Sequence, residues 1–337
     1  MRFEPTDEQR AFVSSLDSLL AAADTVGAAR SWARGDHSAG LRLWSQLADQ
    51  GVHALLVPEE SSGMGATWVE MVLAAEVIGR YALPGPWAES LAWLPTAITD
   101  AAALESLAGG AVGTVQITGT PRAPALAPYA LDADIADLAL AVRADGVRRG
   151  TATTALTSID PTRRLFDLRE GIPIAAARFD VACDAAALAT AALLLGAGER
   201  VLVDSVTYVK QRTQFGRPIG SYQAIKHKLA DVRVALDFAR PLLWGAALSG
   251  DPQDVSAAKI ACGEAAYLAS RAALQVHGAI GYTHEYDLSI WILRIRALVG
   301  AWGTTAYHRA RLLDSLVARR SGDVSTGACP FGHGVAS

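Results

Sequence analysis

Alanine-rich stretches with helical periodicity run from Asp184 to about Arg319, and they constrain the fold more than any other feature of the sequence. Apolar residues recur there at the spacing of one helix face, so the sequence predicts four long helices. In the first stretch these positions are Leu195, Leu202, Val206 and Val209. The second helix is expected to begin after Ser221 as its N-cap. Because small residues allow helices to approach closely, we predict an antiparallel bundle.

Two regions with different sequence patterns precede this one. From Thr6 to about Leu104 the chain is rich in Ala, Leu, Glu and Arg at helical spacing, with turn formers at 58–65. Between about Leu107 and Asp180, short apolar runs alternate with Gly, Pro and Asp, as in β-strands. The sequence therefore predicts a mainly α protein with a small β domain. Its expected parts are an N-terminal helical domain (1–105), a small β domain (106–182), a C-terminal four-helix bundle (183–320) and a flexible tail (321–337).

Composition excludes several classes of function. The net charge is −4, and no run of five or six like charges occurs, so we expect neither nucleic-acid binding nor docking on anionic membranes. The longest apolar stretch, 185–198, is too short to span a bilayer. No export signal is recognisable, which predicts a cytoplasmic protein. The three cysteines, Cys183, Cys262 and Cys329, form no metal or disulfide pattern, and no metal site is expected.

A first unusual segment joins two of the predicted helices. Arg212-Thr213-Gln214-Phe215-Gly216 ends one helix, and Tyr222-Gln223 begins the next. Such a corner can offer a guanidinium to a pyrophosphate, a ring to stack on adenine, and a helix N-terminus to anionic oxygen. The alternative is an ordinary helix–helix turn, with the arginine in a surface ion pair and the phenylalanine in the core.

A second unusual segment runs from Gln275 to Tyr286. Glycines at 278 and 281 end a long helix there and leave backbone amides bare, so that a phosphate can approach closely. Alone, a helix end punctuated by glycine is weak evidence for a binding site.

Together, in this order and spacing, the two segments resemble the acyl-CoA dehydrogenase family. That family has R-x-x-F-G followed by an F/Y-Q helix, and then Q-x-x-G-G-x-G-Y-x-x-E, in which Ala279 replaces one glycine here. The first hundred residues are similar as well. They contain Phe3-x-x-Thr6-x-Glu8-Gln9, Val57-Pro58-Glu59-Glu60 and Glu76-Val77-Ile78-Gly79-Arg80.

This resemblance implies a chemistry and a cofactor. Family members use FAD to oxidise an acyl-CoA to a trans-2-enoyl-CoA, usually as tetramers. In family members, the residues at one group of positions contact the FAD of a neighbouring subunit. These positions are Arg212, Phe215, Tyr222, Gln223, Gln275, Gly278 and Ala279. Thr304 matches a string that contacts the flavin.

The resemblance fails where the family has its catalytic base, which removes the α-proton. One usual position of this glutamate holds Trp302, and the other holds Ala186. Glu199 and Glu285 are the substitutes considered, and both have ordinary structural explanations. The flavin-ring strings T-E-P-x-A-G-S-D and K-x-W-I-T-N are absent, with 118–121 a poor replacement for the first.

The pattern resembles the base-less subunit of bacterial α2β2 acyl-CoA dehydrogenases, which degrade steroid side chains and related bulky acyl groups. We therefore expect a homologous partner that carries the catalytic Glu, an acyl-CoA substrate, and an acceptor such as an electron-transfer flavoprotein. The isolated chain is expected to be inactive. Two alternatives stay open: a self-sufficient homotetrameric dehydrogenase with a displaced base, and a flavin-free acyl-CoA-binding or scaffold protein on the same fold.

Overall fold

The N-terminal part is helical in the computed structural model, which describes residues 4–118 and 126–320. Thr6 caps the first helix, since its hydroxyl accepts from the Gln9 amide and its own amide donates to the Gln9 side chain. The helices are α1 (Asp7–Ala21), α2 (Thr25–Ala33), α3 (Ser38–Asp49), α4 (Trp68–Arg80), α5 (Leu94–Ala97) and α6 (Ala101–Ala108). The predicted tail and the segment 119–121 lie outside the described residues.

An irregular helical turn precedes α5. Residues Glu89–Trp93 form a π-helical turn that is buried throughout and contacts the C-terminal helices. Such turns are rare and often occur at functional sites. This turn buries one carboxylate, that of Glu89.

The predicted small β region is a five-stranded mixed sheet in the order β1-β3-β4-β5-β2. Its strands are β1 (Gly113–Ile117), β2 (Ala130–Leu131), β3 (Leu138–Arg143), β4 (Gly146–Leu156) and β5 (Leu165–Pro173). β1 and β3 are parallel, with Val115 opposite Leu140, and the other pairs are antiparallel. Val115 and Leu140 join the main core, whereas Ala141 and Phe166 belong to a small separate cluster.

The C-terminal region is helical as predicted, although its described residues form five helices rather than four. They are α7 (Phe179–Gln211), α8 (Gln223–Ser249), α9 (Pro252–His277), α10 (Leu288–Gly300) and α11 (Thr305–Arg320). α7, α8 and α9 pack on one another, α10 contacts α7 and α9, and α11 packs on α9. This architecture confirms the predicted fold class.

α7 is the central helix of the molecule. It is long and apolar enough to cross a membrane, but 94% of its most apolar window is buried inside the protein, as in a core helix. It crosses α4 at two glycines. A Cβ on Gly196 would meet the Glu76 carbonyl oxygen at 1.9 Å, and one on Gly79 would meet that of Leu193 at 2.1 Å. The expectation that small residues bring helices together is met at this crossing.

The connection between α7 and α8 differs from the predicted loop. It is a short hairpin of β6 (Thr213–Gln214) and β7 (Arg217–Pro218), followed by a 3-10 turn. The prediction that Ser221 caps α8 was wrong. Tyr222 occupies the N-cap, and the Ser221 hydroxyl donates instead to the Pro218 carbonyl at 2.7 Å. A serine in a 3-10 turn satisfies its hydroxyl locally, which removes it from the helix end.

Candidate functional site

An open cleft of about 710 Å³ lies between the sheet and the junction of α10 with α11. The sheet side contributes residues 126–129 and 157–159, and the helical side contributes 299–302 and 304–306. The lining is mostly apolar, with Arg163 and Arg296 as the cationic groups among the lining residues. Such a lining suits a ligand with an apolar body and anionic groups.

Trp302 occupies the inner end of this cleft. Its side chain is 2% exposed, and its indole Nε1 donates to Oε1 of Glu89 at 3.1 Å. The backbone is in the left-handed region, with φ of 53°, which is unusual for a bulky residue. At this position, where the resemblance implies a proton-accepting carboxylate, the chain has a buried aromatic ring.

Glu89 is the group that the sequence analysis missed. It lines the cleft beside Trp302, and its Oε2 has no hydrogen-bond partner among the described residues. Burial raises the pKa of Glu89 above its ordinary range, while the Arg163 guanidinium opposes the shift. A single carboxylate inside the apolar run 87–94 was the available signal, because a buried acid without a local partner is costly.

A very small void lies behind the indole. Its volume is about 10 Å³, which is enough for one water molecule. Thr190 of α7 and Arg294 of α10 line it together with Glu89 and Arg163. We refer to Trp302, Glu89 and Arg163 as the Trp302 corner.

The turn that carries Trp302 is tightly held. Nζ of the buried Lys259 lies 3.3, 3.1 and 3.4 Å from the carbonyl oxygens of Leu298, Val299 and Gly303. Nε2 of His308 lies 3.0 Å from the Trp302 carbonyl oxygen. Burial lowers the pKa of His308 to about 3, and the positive charge of Lys259 acts in the same direction. His308 is therefore neutral and donates to that carbonyl from Nε2.

Thr304 follows on the cleft side of the same turn. It is exposed, lines the cleft, and accepts from the Tyr307 amide at 3.2 Å as the cap of α11. Its hydroxyl hydrogen stays available to a ligand in the cleft. The predicted flavin-contacting position thus has a structural role as well.

The first predicted segment forms an exposed corner on the molecule, which we define as residues 211–223 and call the hairpin corner. Phe215 is 92% exposed at its tip with φ of 52°, and Arg212 and Gln223 are exposed too. The Arg217 guanidinium lies 4.1 Å from the Tyr222 ring centroid. The alternative of a buried phenylalanine is wrong, because Phe215 lies outside the core.

The second predicted segment lies beside the base of this corner. The rings of His277 and Tyr208 stack with centroids 4.1 Å apart, and the Tyr208 carbonyl accepts from the Arg212 amide at 2.8 Å. Gln275, Gly278 and Ala279 are all exposed. A Cβ built on Gly278, which has φ of 62°, would meet no heavy atom within 4 Å. Its backbone is therefore open to a ligand.

The hairpin corner and the Trp302 corner lie towards opposite ends of α7. Thr190 lines the inner void, and Arg212 follows 22 residues later, roughly 33 Å along the axis at about 1.5 Å per residue. The two corners are therefore separate sites on the chain.

The remaining base candidates are not in the cleft lining. Ala186 is buried within α7, where its carbonyl accepts from the Thr190 hydroxyl. Glu199 binds Arg233 at 2.6 Å and Arg240 at 2.8 Å, which occupies both of its oxygens. Glu285 is exposed on a separate groove beside α2. Glu199 is thus held in ion pairs, although not with its neighbour Arg200, which pairs with Asp204.

Comparisons with known proteins match this architecture. The family model for the acyl-CoA dehydrogenase N-terminal domain matches residues 6–103, and the C-terminal domain model matches residues 170–317. Acyl-CoA dehydrogenase IpdE2 of Mycobacterium tuberculosis is 33% identical over 92% of this chain and 94% of its own length. The chain belongs to the acyl-CoA dehydrogenase family.

Solved structures of family members share the fold. Butyryl-CoA dehydrogenase of Megasphaera elsdenii has a TM-score of 0.78 at 20% identity and covers 94% of this chain and all of its own. A chain of the ChsE4–ChsE5 complex of Mycobacterium tuberculosis has a TM-score of 0.77 at 20% identity, with 94% and 99% covered. The acyl-CoA dehydrogenase fold thus spans nearly the whole chain.

The residues present fit FAD at the hairpin corner. An exposed arginine, an exposed aromatic ring, the bare backbone of Gly216 and Gly278, and the N-terminus of α8 supply what an adenine and a pyrophosphate require. In the cleft, the hydroxyls of Thr157, Ser158 and Thr304 are among the polar groups available to a flavin ring. Within the described residues, no group of three His, Cys, Asp or Glu side chains is arranged for a metal ion.

Proposed function

We propose that this chain is a subunit of a heteromeric FAD-dependent acyl-CoA dehydrogenase whose partner, another member of the family, carries the catalytic Glu. One observation carries the proposal. The base position of this chain holds Trp302, which is buried against Glu89, while the hairpin corner leaves Arg212 and Phe215 exposed.

The reaction removes two hydrogens from the acyl-CoA. A base takes the α-proton, the β-hydrogen leaves with its electron pair, and the product is a trans-2-enoyl-CoA. When bound, FAD supplies the acceptor for that hydride. The partner's Glu supplies the base in our proposal, since the nitrogen lone pair of the Trp302 indole belongs to the aromatic system and does not accept a proton.

This chain's own residues bind and orient the dinucleotide of the partner. Arg212 pairs with the pyrophosphate, and Phe215 stacks on the adenine. Tyr222 occupies the N-cap of α8, and Gln223 presents the first amide of that helix to anionic oxygen. Gln275, Gly278 and Ala279 line the other side, where the bare backbone allows close approach. Thr304 is the flavin-contacting position in this chain's own cleft.

Exposed apolar side chains support a subunit interface at the hairpin corner. Val234, Phe238 and Leu242 follow one face of α8 at intervals of four residues and are 51%, 73% and 45% exposed. This exposed apolar face of α8 and the exposed ring of Phe215 are surfaces that a second subunit would bury. The similarity to a chain of the ChsE4–ChsE5 complex supports a partner that is a different chain of the same fold.

The same proposal covers the electron acceptor and the compartment. An electron-transfer flavoprotein is the acceptor that we propose for the reduced complex. The cytoplasm is the proposed location, and the buried, unpaired thiols of Cys183 and Cys262 agree with a reducing compartment. The acyl group that we propose is a fatty acyl or a steroid-derived acyl group.

Co-expression with the product of the neighbouring gene, if that product is a family member with the catalytic Glu, tests this function. We expect a stoichiometric complex that is yellow and dehydrogenates an acyl-CoA, whereas the full-length chain purified alone lacks both properties. An absorbance spectrum and the mass of the complex measure cofactor and stoichiometry together. A complex without FAD would favour the flavin-free scaffold instead.

Glu89 favours one second candidate, the self-sufficient dehydrogenase with a displaced base. It is a buried carboxylate with a raised pKa on the lining of the cleft. Against this role, Oε1 is engaged by the Trp302 indole and Oε2 is fully enclosed. A base must lie within hydrogen-bond reach of the proton that it removes. Turnover by the chain alone that the Glu89→Gln change abolishes would establish this candidate.

A further inference from the structure

We propose that Trp302 is a fixed plug that closes the acyl end of this chain's own cleft. The inference rests on the proposed function, because it explains why this subunit would bind no acyl group itself. It concerns the space around position 302, whereas the proposed function concerns the hairpin corner.

The indole forms part of the wall between two spaces. Four residues line both the open cleft of about 710 Å³ and the inner void of about 10 Å³, namely Glu89, Arg163, Ala301 and Trp302. The void is therefore the remainder of the space behind the ring. Gly85, Trp87, Leu193 and Leu298 provide the apolar part of its far side, and Thr190 and Arg294 add polar groups there.

The position of the ring decides what it excludes. A catalytic carboxylate at position 302 would have to reach the α-proton of the acyl group, so the α-carbon belongs directly in front of this residue. The Trp302 indole extends through that region as far as the Glu89 carboxylate, 3.1 Å from its Nε1. An acyl chain cannot occupy the same volume.

Several hydrogen bonds make the ring a plug and not a gate. The Trp302 amide donates to the Leu126 carbonyl at 3.2 Å, and its carbonyl accepts from His308 at 3.0 Å. Lys259 holds the turn on both sides through the carbonyls of Leu298 and Gly303. If the indole swung out, the buried Glu89 carboxylate would lose its donor. A movable gate would instead have an exposed or weakly held hinge.

Acyl-CoA binding to the full-length chain tests the plug. The probes are saturated straight-chain thioesters from acetyl-CoA to octanoyl-CoA, measured by calorimetry. With the wild-type chain we expect no measurable binding, or the same Kd at every length. In Trp302→Ala the opened space should improve the affinity by about fourfold per added CH2 until it is filled, which corresponds to about 0.8 kcal/mol each.

Trp32→Ala is a matched control. The Trp32 indole is also fully buried and donates to a buried carboxylate, Oδ1 of Asp132, at 3.0 Å, and that acid too has an unpartnered second oxygen. Trp32 does not line the cleft. This control should lose stability as Trp302→Ala does, but its acyl-CoA affinity should not depend on chain length.

Two results would overturn the plug: an affinity of the wild-type chain that rises with acyl length, or a Trp302→Ala variant whose affinity does not. Trp302→Leu, which leaves more of the core filled, replaces the alanine variant if the latter does not fold. The proposed function is tested by a separate measurement, the FAD content of the co-expressed complex. If the complex lacks FAD while the acyl-CoA affinity of the wild-type chain does not depend on acyl-chain length, the proposed function is wrong and the plug is still supported.

Discussion

The hairpin corner and the Trp302 corner differ in how this chain uses their side chains. At the hairpin corner, Phe215 is 92% exposed and the arginine beside it is exposed as well. At the Trp302 corner, the ring is 2% exposed and its amide, carbonyl and indole N–H all have partners within the chain. The first corner therefore contributes little to the stability of its own fold, and the second contributes much.

This difference distinguishes residues that act by binding another molecule from residues that stabilise the chain itself. A large apolar ring in water at a positive φ is unfavourable for the isolated chain, so its contribution must come from contact with another molecule. A buried tryptophan bonded to a buried acid stabilises the chain itself. We infer that the hairpin corner serves binding and that the Trp302 corner has been converted from chemistry to packing.

The largest expected effect is on stability at the Trp302 corner. Trp302→Ala should lower the free energy of unfolding of the isolated chain by about 3–5 kcal/mol, because it leaves a cavity and removes the donor to Glu89. Urea denaturation followed by circular dichroism measures this. A loss below about 1 kcal/mol would mean that the ring is not part of the core.

A pH dependence of stability should arise at His308, whose Nε2 donates to the Trp302 carbonyl. The pKa of His308 is lowered from 6.5 to about 3 in the folded state, so the unfolded chain binds the proton more readily. The stabilisation is complete above pH 6.5 and is lost as the pH falls towards 3, by up to about 1.4 kcal/mol per pH unit.

His308→Gln is the matched variant for this effect. Its amide can still donate to the Trp302 carbonyl and accept from Ser256, but it does not titrate. Denaturation midpoints between pH 7 and pH 4 should therefore fall less steeply for the variant than for the wild type. Parallel curves would show that His308 titrates normally in the folded chain.

A smaller effect, on cofactor binding, is expected at the hairpin corner. Arg212→Ala should weaken FAD binding by the heteromeric complex by about 1.5–3 kcal/mol, the range for a hydrogen bond to a charged group. FAD release on dilution measures this. Arg34→Ala removes the same charge at the end of α2 and should leave FAD binding unchanged. Equal losses in both variants would indicate a general charge effect.

The smallest effect on the chain itself is expected for Phe215→Ala. Because the ring is exposed, the free energy of unfolding of the isolated chain should change by less than about 0.5 kcal/mol. The same change should reduce the FAD content of the complex, since the adenine loses its stacking partner. A clear loss of stability in the isolated chain would show that the hairpin corner, like the Trp302 corner, stabilises the fold.

Local patterns predicted the fold well. The period of the apolar residues identified α7, and turn formers and short apolar runs marked the region that holds β1 and β3. The order of the two unusual segments identified the family. Each of these signals lies within a few neighbouring residues, where sequence and conformation are directly coupled.

Long-range contacts were not predictable in the same way. The bond between Trp302 and Glu89 joins residues 213 positions apart, so no local pattern pointed to Glu89. The hairpin at 213–218 has no alternating apolar residues and was expected to be a loop. Ser221 is a good capping residue in general, but the 3-10 turn before α8 offers its hydroxyl a nearer partner.

Dehydrogenation by the isolated chain decides whether this subunit needs a partner for catalysis. The full-length chain, supplied with FAD, is assayed on a panel of acyl-CoA thioesters beside the co-expressed complex, which serves as the positive control. We predict turnover by the complex and none by the chain alone, because Trp302 stands where a carboxylate is needed. Turnover by the chain alone that disappears in Glu89→Gln would contradict the account and identify Glu89 as its base.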